Sequence, residues 1–423
     1  MNRHLAGFAM LLGAQMLTSS AGAQTFGTEL HNTLMPASGG MGGVSIARPQ
    51  DLTSAINANP AALTQFQGTQ FTFGGAWAEP TYNLTQTGQI PFAGPALIEP
   101  FSAKSTAPGT PLGNIGVTQD FSELGLPVTL GVGFVTTCGA MVDFRDVPAS
   151  HGTNSGMSIF SVPIMLGANV TDNLSVGAGL AMGIAFFDGP FVGVGGMTPD
   201  YALRGTLGAN YRLGEATTVG AYYQTRQQYR FDNAFTLNPG LGQATLDVNM
   251  DLPENFGLGF ANNSLLDGRL LLGVDVLYKL WNNAALYDAI YDDQLVVQLG
   301  SQLTIGKNKL RAGYVWAQSP IDQSPGPNLG GVVQPGDVRA VRYSQALLAV
   351  TGQNRISVGI GRSDLLPGLD LDLMAGGMLR DTEQLGPFTT TSIESYWLAA
   401  GMTWRFGRGA CCHRLPPADS WSE

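Results

Sequence analysis

Between residues 174 and 186 large and small side chains alternate. Leu174, Val176, Ala178, Leu180, Met182, Ile184 and Phe186 fall on one face, and Ser175, Gly177, Gly179, Ala181, Gly183 and Ala185 on the other. A period of two residues is that of an extended strand, whose successive side chains point to opposite sides. Residues 270–281 repeat the pattern, with Leu270, Leu272, Val274, Val276, Tyr278 and Leu280 on one face and Asp275 and Lys279 on the other. In residues 369–380 Asp370 and Asp372 share a face opposite Leu369, Leu371 and Leu373. A charge facing lipid at mid-depth costs roughly 2–4 kcal/mol for Arg or Lys, so the charged faces are expected to line a lumen.

The segments between these runs alternate in length. Short links fall at 122–126, 171–173, 214–216, 263–268, 306–308 and 363–368. Long ones fall at 79–111, 145–156, 188–200, 238–243, 282–293, 318–353 and 381–392. Short turns at one end and long loops at the other are the topology of an outer-membrane β-barrel. The pattern predicts fourteen strands, starting near Gln70, Asn114, Pro127, Met157, Leu174, Tyr201, Thr217, Ala244, Leu270, Gln294, Lys309, Asn354, Leu369 and Ile393. The eighth is expected to run over 244–261 with a bend at Pro253, because proline cannot donate to a ladder. The expected fold is all-β: a fourteen-stranded antiparallel transmembrane barrel over 68–406.

Residues 53–66 break the pattern. Their apolar positions are scattered and Pro60 interrupts them, so 24–67 is expected to be a largely non-strand unit. Ahead of it, Arg3 and His4, an apolar stretch over 5–17 and Ala21-Gly22-Ala23 form a signal-peptide pattern, with cleavage expected after Ala23. That stretch is shorter than the roughly 20 residues that span a bilayer. Beyond Phe406, residues 407–423 form a polar tail, expected to be disordered, that carries Cys411 and Cys412.

Composition narrows the function. The chain is 44% hydrophobic and only 12% charged, with 57 glycines and a net charge of −10. That balance suits strands set between lipid and lumen and disfavours nucleic acid as a partner. With three cysteines, no disulfide framework is expected. No metal or cofactor is expected either, since Cys411-Cys412-His413 lacks the second ligand pair of a zinc site. An outer-membrane lipid-modifying enzyme would need a nucleophile and base. The chain has no G-x-S-x-G elbow; Ser45 in "GGVSIA" comes nearest.

Several stretches resemble the FadL/TodX family of outer-membrane transporters of hydrophobic compounds. They are "SGGMGG" (38–43), "NPAAL" (59–63), "DLPENFGLGF" (251–260), "LYKLW" (277–281), "LRAGYVWAQSPI" (310–321) and "YWLAAGMTWRF" (396–406). The resemblance implies a monomeric barrel in the Gram-negative outer membrane, plugged by an N-terminal hatch that holds Asn59, Pro60 and Ala61. It implies an inward kink in the third strand, aligned with Gly139, and a lateral gap through which a solute leaves the lumen. The implied function is uptake of long-chain fatty acids or hydrocarbons, in contact with lipopolysaccharide and bilayer.

A general diffusion porin is the rival reading, but its lumen should be richly charged, and these inner faces are mostly Gly, Ala, Ser and Thr. Apolar residues in 82–101 and 346–350 are candidates for an external capture surface or for loop packing. A fatty acid would favour a basic partner for its carboxylate. By alternation Arg204, Arg226 and Lys279 are the lumen candidates, with pairing to acids such as Asp275 as the alternative role. Fatty acid and neutral hydrocarbon both remain open as substrates.

Overall fold

The structure is a computed structural model that describes residues 27–28, 31–91, 97–189, 198–237, 244–329, 337–348 and 352–406. The expected signal peptide and the tail with Cys411 and Cys412 lie outside the described residues. Fourteen strands form the wall. The first seven are β1 (Thr69–Gln86), β2 (Thr110–Asp120), β3 (Val128–Asp143), β4 (Asn154–Asn169), β5 (Leu174–Asp188), β6 (Thr198–Leu213) and β7 (Thr217–Gln224). The others are β8 (Glu254–Leu265), β9 (Leu270–Leu280), β10 (Gln294–Ile305), β11 (Asn308–Ala317), β12 (Asn354–Leu366), β13 (Leu369–Leu385) and β14 (Thr389–Phe406). Each pairs antiparallel with its chain neighbours, and β1 pairs with β14 from Thr69↔Phe406 to Gln86↔Thr389, which closes the barrel.

The turns explain the closure. Each short link is tight, and Gly214 and Gly306 take φ of 71° and 59°, a left-handed conformation that glycine adopts without strain. Outward positions are apolar and exposed: Leu180 (58%), Leu203 (64%), Leu258 (64%) and Val358 (60%). Exposed apolar surface on this scale has no place in water and matches a bilayer core. Aromatic side chains flank the belt, with Phe71 against Trp404 toward one end and Tyr223 against Phe256 toward the other.

One strand expectation is corrected. Residues 244–261 are two strands in two sheets, broken at Pro253. Ala244–Leu252 pairs with Gln227–Leu237 in a separate hairpin, and only Glu254–Leu265 continues the wall. Both arms leave the barrel at one level. Arg204 on β6 pins that hinge, donating from Nε to the Thr225 carbonyl (2.9 Å) and from Nη2 to the Pro253 carbonyl (2.5 Å). Pro253 offers no N–H and the β7 ladder ends at Gln224, so the arms peel away together.

Candidate functional site

The lumen holds the N-terminal unit. Residues 31–63 are almost wholly buried, in a short helix α1 (Leu52–Asn57) and 3-10 turns at Gly39–Met41 and Pro60–Gln65. Asp51 caps α1, accepting from the Ser54 amide (2.8 Å), and its other oxygen accepts from the Ser38 amide (2.9 Å). Glycines on the inner wall make room for this backbone. A Cβ on Gly208 would overlap Asn59 Oδ1, one on Gly177 would overlap the Ala61 amide, and one on Gly313 the Gly42 amide. The small inner faces seen in the sequence are thus a seat for a plug.

Asn59, Pro60 and Ala61 sit against β5 and β6. Asn59 Oδ1 caps the following turn at the Ala61 amide (3.1 Å), while Nδ2 donates to the Ile46 carbonyl (2.8 Å) and to Asn210 Oδ1 on β6 (2.7 Å). The Ala61 carbonyl accepts from Ser175 Oγ on β5 (3.1 Å). Pro60 opens the 3-10 turn at a position where its missing N–H is harmless. Asn59 therefore bonds the hatch and β6. Across the lumen, Asp275 on β9 accepts the Ser45 amide (2.6 Å) and the Ile46 amide (3.0 Å) on one carboxylate oxygen. Ile46 is held at both its N–H and its carbonyl.

The wall is interrupted between β2 and β3. Their ladder runs from Asp120↔Thr129 to Asn114↔Val135 and stops. There the Thr136 hydroxyl donates to the Gly113 carbonyl (3.1 Å) in place of a backbone group. The register of β3 with β4 slips between Thr136 and Cys138, and the hydroxyl of the extra residue, Thr137, donates to the Ile159 carbonyl (3.1 Å). Gly139 lies two residues beyond this bulge and pairs with Ser158. On β2 the stretch that faces the interruption includes Pro111, which has no N–H to leave unpaired. The wall rejoins where the Thr106 amide donates to the Asp143 carbonyl (2.9 Å). Between these points Cys138 and Gly139 pair with Thr28 and Gly27, so two N-terminal residues take the place of β2.

Behind the interruption lies a pocket with about 430 Å³ of unfilled space, lined by His31, Leu34 and Met35 of the hatch, 112–114 of β2 and 136–139 of β3. It adjoins a lumen cavity, and His31 and Thr137 line both. Arg204 and Lys279 face this cavity along with Gln224, Asn255, Pro163, Met165 and Leu277. Arg226 does not line it. Its Nη1 donates to the Asn283 carbonyl (2.5 Å) and its Nε lies 3.7 Å from Asp251, at the external mouth. Thr136, Thr137 and His31 were missed in the sequence; the threonine pair beside a lone proline on the facing strand is the signal that was there.

The long-loop end is capped. Helix α2 (Val338–Leu348) lies over an aromatic cluster in which Tyr287 stacks on Tyr291 and both meet Trp281. Tyr82 and Tyr291 donate their hydroxyls to the Ala346 and Leu348 carbonyls, satisfying groups that the helix end leaves open. Gln345 Nε2 donates to the Ile290 carbonyl (2.9 Å), and burial pushes the Tyr343 hydroxyl well above its ordinary pKa. Tyr82, Ile90, Ile98 and Ala346, candidates for a capture surface, are buried in this cap, while Phe92 and Val350 lie outside the described residues.

No protein-family model and no curated protein sequence matches the chain. Solved structures do. The chain is similar to the Pseudomonas putida toluene transporter TodX, at 16% identity and a TM-score of 0.64 over 88% of this chain and 98% of that one. A Pseudomonas aeruginosa FadL homologue matches at 14% identity and a TM-score of 0.66, over 91% of this chain and 100% of that one. The Ralstonia pickettii toluene transporter TbuX matches at 16% and 0.62, over 89% and 99%. At these identities the shared property is the plugged fourteen-stranded fold.

Proposed function

We propose that the protein is a monomeric outer-membrane transporter that takes up hydrophobic compounds and releases them sideways through the β2–β3 interruption. The carrying observation is the break in the ladder with a cavity directly behind it, in a barrel whose axis is filled by the hatch. An apolar solute gains nothing by crossing into the watery periplasm, whereas a side exit returns it to lipid. The fold shared with toluene transporters and a FadL homologue supports the same reading.

In this reading the solute enters among the external loops, in contact with lipopolysaccharide, and rests in the lumen cavity. Met165, Leu277 and Pro163 receive its apolar body, and Arg204 and Lys279 face any polar end it carries. It then passes His31 and Thr137 to the window beside Gly139. The hatch supports transport of this kind over general diffusion, because it occupies the path water would take. The chemistry is binding and passage, not catalysis, and it asks for no cofactor.

The test is deletion of Thr137, which removes the extra residue and lets β3 and β4 pair without a slip. Uptake of labelled oleate and of labelled toluene is measured in cells at matched surface expression. Loss of both with an intact, heat-modifiable barrel is the expected result. Unchanged uptake of both would overturn the lateral route.

A further inference from the structure

A separate cavity lies at the short-turn end, between the hatch and the wall, and shares no lining residue with the lumen cavity. Its apolar side is Leu52 and Phe66. Arg48, Arg405 and Lys309 on β11 are its basic residues, and Lys309 is only 9% exposed. Lys309 is opposite Gly361 on β12, and the space above that glycine is taken by Asp372 Oδ1 and the Arg311 guanidinium.

The acids around this cavity are already engaged. Asp370 accepts from Arg405 (2.8 Å), and Asp372 accepts from Arg311 (2.6 Å). Asp51 accepts from the Ser38 and Ser54 amides and from Thr53 Oγ1 (2.8 Å). Lys309 has no hydrogen-bond or ion-pair partner among the described residues. The stem is buried while the ammonium opens onto the cavity, where an anion can meet it.

We propose that this cavity is a second binding site, for an amphiphile with an anionic head, a carboxylate or an alkyl phosphate. The head sits on Lys309 and the tail lies along Leu52 and Phe66. The apolar wall and the cation occupy one pocket, which is the pairing such a molecule needs. The site opens at the periplasmic end of the orientation proposed above, away from the side exit, and its existence does not depend on the uptake reading.

The test uses the full chain in a non-ionic detergent, titrated by calorimetry with decanoate, decyl phosphate and decanol. Decanoate, decyl phosphate or both should bind more tightly than decanol, and the tighter of the two identifies the head. Lys309→Met should weaken the anions more than about tenfold, since a charge-assisted bond is lost. Lys309→Arg should stay near the parent, and decanol should be indifferent to both substitutions. Phe66→Ser, which leaves the cation in place, should weaken anion and alcohol alike, and serves if Lys309→Met does not fold. Equal affinity for decanoate and decanol, or unchanged anion binding in Lys309→Met, overturns the proposal. Loss in Lys279→Met but not in Lys309→Met would place the anion in the lumen cavity and overturn it too.

Discussion

Replacing Asp275 by alanine should unseat the hatch while leaving the barrel folded. The carboxylate accepts two consecutive hatch amides, Ser45 at 2.6 Å and Ile46 at 3.0 Å, and it is fully buried. Removing it leaves two buried N–H groups without an acceptor, at roughly 1–3 kcal/mol each. Relief of the carboxylate's own desolvation offsets part of this, so about 2–4 kcal/mol of docking free energy is lost. At 1.4 kcal/mol per decade, that raises the population of loosened hatch by roughly 30- to 1,000-fold. The barrel itself is barely touched, because the backbone pairings of β9 with β8 and β10 at Gly259 and Gln298 do not involve the side chain. Two assays read the change: single-channel conductance in planar bilayers and protease cleavage within 31–66. Asp275→Asn, which keeps one acceptor oxygen, should fall between parent and alanine. Parental conductance and parental protease resistance in a folded Asp275→Ala barrel would refute the reasoning.

Leu180→Arg puts a cation on the lipid face midway along β5 and should destabilise the barrel by about 2–4 kcal/mol, measured by urea unfolding in vesicles; a change under about 0.5 kcal/mol would mean that the position does not meet lipid. Gly208→Val places side-chain atoms where Asn59 sits, and should raise small-solute leakage without loss of heat-modifiable mobility on gels. Gln345→Ala removes a donor to the Ile290 carbonyl (2.9 Å) and the Asp322 carbonyl (2.9 Å). Hydrogen exchange in 338–348 should then speed up by about tenfold, at roughly 1–1.5 kcal/mol for the bonds lost, with exchange in β1 unchanged.

Much of this architecture is legible along the chain, because barrel strands carry their instructions locally. Alternation assigns Leu180 to lipid and Gly177 to the lumen from neighbours two residues away, and glycine-bearing short links mark one end. The inward placement of Asp275 and Lys279 follows from the same period, since neither charge is tolerated in hydrocarbon. Pro60 and the scattered apolar residues around it likewise announce a non-strand unit. Alternation fails where a strand leaves the wall. Residues 227–237 and 244–252 keep their period in the external hairpin, so only Pro253 and the Arg204 bonds reveal the departure.

What each inward group touches was decided by the tertiary structure. Asp275 meets Ser45 across 230 positions of sequence and Asn59 meets Asn210 across 151, so no local pattern carries either pairing. The window has the same origin. A one-residue bulge at Thr137 is nearly invisible to a period-two reading, yet it redirects β3 away from β2 and leaves its edge to Gly27 and Thr28. Lys309 stands out along the chain only as the start of a strand. That it is buried without a partner depends on Arg311 and Arg405 having already taken Asp372 and Asp370, and that allocation exists only once the barrel has closed.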